Sequence, residues 1–477
     1  MVNARERFAT AIPRDAGPPP PYLVGMSEDT PKDPERNRLA ARAGRFASVG
    51  ANTAGAVASA GFSALFGGDA ADRQIAMALK AALGRTKGPL MKVAQMMATI
   101  PDFLPPEYAE EFAQLQMNAP SMGWPFVQRR MRGELGADWE AKFSSFTREA
   151  AAAASLGQVH RAVTADGRDV ACKLQYPEMA SAVESDIGQM QGIIGLVKRM
   201  NRLVDPTEMG LEIADRLREE LDYEREAKHI ALYRLMLEGD DTIVPPAPVP
   251  ELSTKRLLTM TWLEGRPLKS FLDADQDTRN RIATLLFRAW WGPMSRYGVI
   301  HGDPHLGNYT FTDDARALNL LDFGCVRIFP PRFVQGVVNL YRALDANDQD
   351  AIRQAYADWG FGDLSDGAVE ALTIWARFIY GPMLDDRVRR VAEGVSPGMY
   401  GRAEVMDVKR RLMEHGPVAI PREFVFMDRA AIGLGAAFLH LDAEMNFRAL
   451  FEAQIEQFEL EAVGVRQAEA LATVGLA

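Results

Sequence analysis

The chain has 477 residues, more than the roughly 250–300 at which one hydrophobic core stops growing, so two or three packed units are expected. Its composition, 47% hydrophobic and 25% charged, is that of a globular protein, and its net charge of −10 argues against sequence-independent nucleic-acid binding. Two cysteines, Cys172 and Cys325, exclude a disulfide framework and a four-cysteine zinc site, and we interpret both as small buried hydrophobes in a reducing compartment.

The N-terminal part is predicted to contain a tail and then helices. Residues 1–35 are rich in proline and charge, which predicts a flexible tail, and their start has no apolar core of signal-peptide length, so secretion is not expected. Residues 36–140 are predicted to form a helical extension. Within it, the uncharged stretch 46–68 leaves three interpretations open: a packed helix, a segment in peripheral contact with a membrane, or a membrane span.

Strands are predicted first in the next unit, residues 141–265. LGQVHRAV and DVACKLQ are separated by TADGR, whose Asp166 and Gly167 suit a tight hairpin. One long helix is predicted over about 206–238, and RLLTMTWLEG is predicted to be a strand that leads into a connector. The last unit, 266–477, is predicted to be helical except for a strand-rich centre at 299–328.

The strongest chemical signal is HGDPHLGNYTF, residues 301–311, followed by NLLDFGCV, residues 319–326. Phosphoryl transfer needs a carboxylate that orients the acceptor and oxygen ligands for magnesium, all held on short loops. Asp303 is predicted to be the catalytic carboxylate, and Asn308 and Asp322 are predicted to be the metal ligands, because their spacing repeats that of kinase catalytic and metal-binding loops.

A cation and its partner are predicted upstream of these loops. On the strand DVACKLQ, Ala171 and Lys173 face one side, where they are placed to meet a nucleotide base and its α- and β-phosphates. Glu226, within RLREELDYEREAKH, is predicted to be the carboxylate that orients Lys173.

Seven motifs, in this order along residues 36–345, resemble the UbiB/AarF atypical kinases associated with ubiquinone biosynthesis. They are KVAQMMATIPDFLPPEY, AAAASLGQVHRA, VACKLQYP, EELDYEREA, MTWLEG, HGDPHLGN and LDFG. The resemblance implies an α+β, protein-kinase-like fold of two lobes, an N-lobe at 141–265 and a C-lobe at 266–477, with the N-terminal helical extension covering the active site. It also implies ATP or ADP and Mg²⁺ as cofactors, and ATPase activity with little or no ordinary protein kinase activity.

The resemblance further implies a regulatory contact. The family's Lys-x-Gly-Gln signature corresponds here to Lys92 and Gln95, with Ala94 in the place of the glycine, and Lys92 is expected to meet Glu220 and Asp222. The helix should be better formed with alanine, but the substitution puts the close-packing role of that glycine in doubt.

The remaining nucleotide contacts are expected in the alanine-rich loop and the connector. A glycine loop lets backbone N–H groups approach phosphates closely, whereas the five successive methyl groups of residues 150–154 favour a stiffer turn with helical character. By resemblance, this loop alters nucleotide selectivity and suppresses protein phosphorylation. The expected contacts are Ala151, Ala152, Ala153, Ala154, Ser155, Ala171, Lys173, Thr261 and Leu263.

Three functions remain open on the sequence. The first is an ATPase that supports ubiquinone or other isoprenoid-lipid metabolism, with an isoprenoid lipid or quinone-biosynthesis enzymes as partners. The second is a small-molecule or protein kinase, and the third is a nucleotide-gated lipid-binding or chaperone protein with little turnover. A cytoplasmic location is expected, with peripheral contact at the inner membrane face as an option.

Overall fold

The structure is a computed structural model that describes residues 122–153, 156–177, 179–185, 187–188, 191, 207–303, 305–392, 402–415, 418 and 421–477. Several predicted features lie outside these residues: the tail at 1–35, the uncharged stretch 46–68, the helix with Lys92 and Gln95, and Ala154 and Ser155 of the alanine-rich loop. How the predicted extension covers the site therefore stays a prediction.

The first sheet is antiparallel and contains the predicted hairpin. Its strands are β1 (Phe143–Phe146), β2 (Ala152–Ala153), β3 (Gly157–Thr164), β4 (Asp169–Gln175) and β6 (Leu257–Thr261), in the order β1-β3-β4-β6 with β2 paired to β3. The predicted hairpin is confirmed, because β3 and β4 pair antiparallel. In its turn Gly167 has a φ of +89°, which suits glycine far better than residues with a Cβ.

One face of this sheet is covered by helix α1 (Trp124–Leu135), which has a proline in its first turn and ends before Gly136. Val127 and Met131 of α1 pack with Cys172 and Leu174 of β4 in a small hydrophobic core. Ala171 instead contacts the larger core on the opposite side, so the predicted alternation of β4 is confirmed.

The single helix predicted over 206–238 is wrong, since two helices occupy this stretch. Helix α2 (Thr207–Glu219) ends before a turn, and helix α3 (Tyr223–Met236) begins at the N-cap Asp222, whose side chain accepts the backbone N–H of Arg225 at 3.1 Å. An Asp cap satisfies an otherwise unpaired donor of the new helix, which favours a restart over continuation.

The strand-rich centre predicted at 299–328 is confirmed. Its strands are β8 (Val299–His301), β9 (Tyr309–Phe311), β10 (Leu318–Leu320) and β11 (Val326–Ile328). Two short strands from earlier in the chain join them, β5 (Ile243–Val244) and β7 (Arg266–Pro267). A four-stranded sheet has the order β5-β10-β9-β7, while β8 pairs antiparallel with β11. The β8–β11 pair brings the segments that carry Asp303 and Asp322 together.

Helices surround these strands, as predicted for the C-terminal unit. They are α4 (Gln276–Tyr297), α5 (Pro331–Ala346), α6 (Gln349–Asp358), α7 (Asp366–Tyr380), α8 (Arg402–His415), α9 (Arg422–His440), α10 (Phe447–Ile455) and α11 (Leu460–Val474). Their apolar faces form one large core with α3, for example through Phe287, Phe438 and Phe451. Among the described residues, no helix combines the length and apolar character that crossing a membrane would require. The α+β class predicted from the sequence is confirmed.

Candidate active site

Lys173 lies at the centre of the candidate site, on the face of β4 away from the small core. Its strand is flanked by β3 and β6, with Val159 and Leu258 opposite it. The Lys173 ammonium Nζ donates to both carboxylate oxygens of Glu226, at 2.7 and 3.0 Å, and to Oδ2 of Asp322 at 3.3 Å. Three elements of the fold therefore converge on one cation.

The pair formed by Lys173 and Glu226 is almost fully buried, with side-chain exposures of 9% and 2%. Burial acts to lower the pKa of Lys173, but the carboxylates of Asp322 and Glu226 outweigh it and hold the pKa well above its usual value. Burial raises the pKa of Glu226, and the ammonium group of Lys173 opposes that rise. A charged lysine is therefore held in the site, because the buried carboxylate of Glu226 would be costly to keep ionised without it.

The Asp322-Phe323-Gly324 turn is held by backbone contacts on both sides. The N–H of Gly324 donates to Asp322 Oδ1 at 2.9 Å, and the N–H of Phe323 donates to Glu226 Oε1 at 3.4 Å. His301 Nε2 contacts the carbonyl oxygen of Asp322, and His229 Nδ1 lies 3.0 Å from the carbonyl oxygen of Phe323. A carbonyl can only accept, so each contacting ring nitrogen carries the proton.

These two histidines are functional candidates that the sequence reasoning missed. His301 opens the HGDPHLGN motif, and His229 follows Glu226 by three residues, which places it near the same side of α3. The spacing was a usable signal for His229. Its contact with the turn depends on how α3 packs against that turn, which the sequence pattern does not specify.

The loop after β8 carries Asp303 and Asn308. The Gly302 N–H donates to the carbonyl oxygen of Cys325 at 2.9 Å, and a Cβ at Gly302 would lie only 2.4 Å from that oxygen. Asn308 Nδ2 donates to the carbonyl oxygen of Asp303 at 3.3 Å, which ties the two ends of the loop. The backbone of Asn308 also accepts the N–H of Leu321, next to Asp322. Both cysteines, Cys172 and Cys325, are buried, as predicted.

The donor chemistry of Asn308 and Asp322 fits a magnesium ion. Both offer hard oxygen ligands, which Mg²⁺ prefers, and Asn308 is half-buried while the Asp322 side chain is 38% exposed, so both can be reached from solvent. Among the described residues there is no cluster of three His, Cys, Asp or Glu side chains that could hold a metal ion. A metal here would therefore rely on substrate phosphates and water for its remaining ligands.

The helical character expected for the alanine-rich loop is wrong for its described part. Ala152 and Ala153 form strand β2, paired with Val159 and Gln158 of β3, and the Ala151 N–H donates to the Val159 carbonyl at 2.8 Å. Pairing with an adjacent strand satisfies these backbone groups, which overrides the helical preference of alanine.

The other expected nucleotide residues lie along β4, β6 and the connector. Ala171 is buried and pairs with Met260, while Thr261 pairs with Val170. Thr261 Oγ1 accepts the backbone N–H of Ala247 at 2.8 Å, so its hydroxyl is engaged by the segment between β5 and β6, and Leu263 is half-buried. A role for them in nucleotide binding stays a prediction.

Glu220 and Asp222 occupy the turn between α2 and α3. Glu220 approaches the Asp322 turn, since its Cγ would lie 3.7 Å from a Cβ at Gly324. Asp222 instead caps α3. Their expected partner Lys92 lies outside the described residues, and the regulatory contact stays a prediction.

Comparison with known proteins agrees with this geometry. A family profile described as the ABC1 atypical kinase-like domain matches residues 114–356, about half of the chain. The chain belongs to this family. The resemblance to UbiB/AarF atypical kinases and the kinase-like fold predicted from the sequence are therefore confirmed, and a kinase-like site of this family implies nucleotide binding.

Named relatives of this ABC1 family member come from several eukaryotes. The "Atypical kinase COQ8B, mitochondrial" of Danio rerio is 31% identical over 283 residues, which cover 58% of this chain and 45% of that protein. The "AarF domain-containing protein kinase 1" of Xenopus tropicalis is 27% identical over 354 residues, covering 72% and 65%. The chain spans about half the length of the curated relatives it matches.

One solved structure supports the same fold. The complex of Rv3197 with erythromycin from Mycobacterium tuberculosis aligns with a TM-score of 0.55 and 26% identity, covering 78% of this chain and 93% of that one. The aligned share of this chain is larger than the half that the family profile matches.

Proposed function

We propose that this chain is a magnesium-dependent ATPase of the atypical kinase type. The observation that carries the proposal is the contact of Lys173 with both Glu226 and Asp322, beside the loop that holds Asp303 and Asn308. Phosphoryl transfer needs little covalent chemistry from the protein, so positioned charges of this kind are its main contribution.

Each residue has a role in this proposal. Lys173, held by Glu226, contacts the α- and β-phosphates, and Asp303 orients the attacking group, which we take to be water. Asn308 and Asp322 hold Mg²⁺, which when bound neutralises phosphate charge. The alanine-rich loop, together with Ala171, Thr261 and Leu263, contacts the rest of the nucleotide.

The first test is ATP hydrolysis by the purified full chain. Asp322→Asn and Lys173→His are expected to lower turnover by about 100-fold or more, because each removes a charge that is positioned to stabilise the transition state. Asp363→Asn and Lys255→Met, both at exposed positions, are the matched controls and should retain activity. If hydrolysis persists in both site variants, the assignment is wrong.

The identity of the acceptor is tested with labelled ATP. Release of free phosphate faster than labelling of any acceptor supports an ATPase. Labelled phosphate that appears faster on a small molecule or protein would instead make the chain a kinase. Binding of Mg·ATP without turnover, with equal rescue of a deletion strain by wild type and Asp322→Asn, would support a nucleotide-gated binding protein.

We further propose that the ATPase supports ubiquinone or other isoprenoid-lipid metabolism, in the cytoplasm at the inner face of a membrane. The support is family membership and the relatives named as COQ8 proteins. The test measures quinones and their precursors in a strain that lacks the protein. An unchanged pool, while ATP turnover by the purified chain is normal, would reject the pathway and leave the ATPase assignment standing.

The alanine-rich loop provides a specificity test. Alanine-to-glycine substitutions within residues 151–154 are expected to shift the preference between ATP and ADP or to raise autophosphorylation, because the backbone could then approach the phosphates more closely. Unchanged nucleotide preference and phosphorylation would leave the loop without a role in selectivity.

A further inference from the structure

Glu219, the last residue of α2, gathers arginines from three elements. Its carboxylate contacts Arg216 of α2, Nη2 of Arg225 in α3 at 3.2 Å, and Nη1 of Arg327 in β11 at 3.6 Å. The Arg327 side chain is 5% exposed, Glu219 is 21% exposed and Arg225 is 42% exposed, so the cluster extends from the interior at Arg327 to the surface at Arg225.

Glu219 offsets part of the positive charge of this arginine cluster. Burial acts to raise the pKa of Glu219, but Arg216, Arg327 and Arg225 together hold it below its usual value. The carboxylate is therefore ionised. If it were removed, the buried guanidinium group of Arg327 would face those of Arg216 and Arg225 without the Glu219 carboxylate between them, and like charges repel more strongly where solvent screening is weak.

Two of these arginines lie next to segments that carry candidate site residues. Arg225 is adjacent to Glu226 in α3. Arg327 Nη2 contacts Cys325 Sγ at 3.3 Å, and its Cγ would lie 3.2 Å from a Cβ at Gly302, the residue before Asp303. The cluster thus joins the helix of Glu226, the strand after Asp322 and the start of the Asp303 loop.

An arginine cluster at this place has a known chemical use in phosphoryl-transfer enzymes. Many protein kinases order their site when a phosphorylated residue pairs with arginines, and their catalytic loop reads His-Arg-Asp. Here Gly302 stands where that arginine would be, and Arg327 packs against it from β11. The anion that faces the arginines is a carboxylate of the chain itself.

We propose that Glu219 is a built-in anion that joins α3 to β11 through Arg225 and Arg327, and that it positions the magnesium-nucleotide site without any phosphorylation. Glu219 and Arg327 are positioning residues in this scheme. The inference rests on the proposed function, because it describes how the nucleotide site is held.

The test compares binding of a fluorescent ADP analogue with and without Mg²⁺ in the full chain. Glu219→Gln and Arg327→Met are each expected to weaken the magnesium-dependent affinity about tenfold, and the double variant should lose little more, since the residues act as one unit. Affinity without Mg²⁺ should change much less. Asp215→Asn, at an exposed position of α2 with Arg218 as its partner, is the matched control and should bind as wild type does.

Two further measurements separate positioning from general stability. Acetate should restore the magnesium-dependent affinity of Glu219→Ala, whereas chloride at the same ionic strength should not, because only a carboxylate replaces the missing group. Phosphatase treatment of the wild type should leave its affinity unchanged. A drop after phosphatase treatment, or a Glu219→Gln variant with wild-type affinity in Mg²⁺, would overturn the proposal.

Unfolding experiments cover variants that bind no nucleotide. The double-variant cycle of Glu219 and Arg327 in urea unfolding should show coupling between the two positions, and additive effects would overturn the inference. If the wild type itself shows no magnesium-dependent nucleotide binding, the proposed function and the positioning role both fail. The cycle then reports on the ion cluster alone.

Discussion

The position of Gly302 has no room for a side chain, because the backbone of Cys325 lies directly against it. Its added Cβ would lie 2.4 Å from the Cys325 carbonyl oxygen, a distance that forces β8 and β11 apart. Gly302→Ala is therefore expected to lower the free energy of unfolding by about 1–3 kcal/mol. Urea unfolding followed by circular dichroism measures this loss.

The control for Gly302 is Gly133 in α1, where no heavy atom lies within 4 Å of an added Cβ. Gly133→Ala should stabilise the protein by up to about 1 kcal/mol, because alanine forms helix better than glycine. Equal unfolding midpoints for both variants would contradict the close approach at Gly302.

Burial of His229 is expected to make the stability of the protein fall at mildly acidic pH. Burial lowers the pKa of His229 to about 4, and Arg225 and Arg327 act in the same direction, while the Phe323 carbonyl and Glu219 oppose them. The unfolded chain takes up this proton near the ordinary pKa of about 6.5, but the folded chain resists it. Stability from His229 is thus fully present above pH 6.5 and is lost as pH falls towards 4, by about 3 kcal/mol in total.

The measurement is urea unfolding between pH 7.5 and 4.5. His229→Gln should remove part of the decline seen in the wild type, because glutamine does not titrate. His305→Gln is the control, since His305 is exposed and its variant should keep the wild-type slope. Parallel slopes for the wild type and His229→Gln would show that His229 is not responsible.

The turn between α2 and α3 is where the secondary structure differs most clearly from the prediction. The pattern of residues 206–238 is helical throughout, and an Asp residue is tolerated on an exposed helix face, so the break was not predicted. The β3–β4 hairpin was predicted, because its turn residues and alternating strands are local signals. A cap such as Asp222 is used only when tertiary packing ends the preceding helix there.

Asp222→Ala is expected to cost about 1 kcal/mol of unfolding free energy, because the first turn of α3 loses its capping oxygen. Asp222→Asn should retain most of the stability, since an amide oxygen can accept the same N–H. Unfolding midpoints measure both effects.

Asp348 provides the matched control, because it caps α6 in the same way by accepting the Ala351 N–H at 3.0 Å. Asp348→Ala should lose similar stability but keep wild-type affinity for Mg·ADP, whereas Asp222→Ala should weaken that affinity through the displaced Glu226. Identical nucleotide affinities would show that the cap does not position the site.

At the scale of the whole molecule, two cores of unequal size meet at β4. The small core packs α1 against the first sheet, and the large core extends from α3 through the C-terminal helices. Fewer buried apolar contacts give lower local stability, so β3 and β4 should open more readily than α5 and α10. Lys173 on β4 then links the less stable unit to the candidate site.

Hydrogen exchange tests this division. Mg·ADP at about 100 times its dissociation constant should raise the protection of β4 amides by up to about 100-fold, which corresponds to about 2.7 kcal/mol. The amides of α7, whose buried residues belong to the large core, serve as the internal control and should change little. Equal protection of β4 and α7 amides, with no response of β4 to the nucleotide, would contradict the lower local stability of β3 and β4.

The sequence by itself determined the ordered motifs, the strand alternation around Lys173, the hairpin and the strand-rich centre, because each depends on residue types at short spacing. Only the tertiary structure decided the break at Asp222, the extended form of Ala152 and Ala153, and the histidine contacts to the Asp322 turn. The physical reason differs between them: the histidine contacts need partners remote in sequence, Ala152 and Ala153 pair their backbone groups with strand β3, and α2 ends where packing requires it. Local propensity contains no information about such partners.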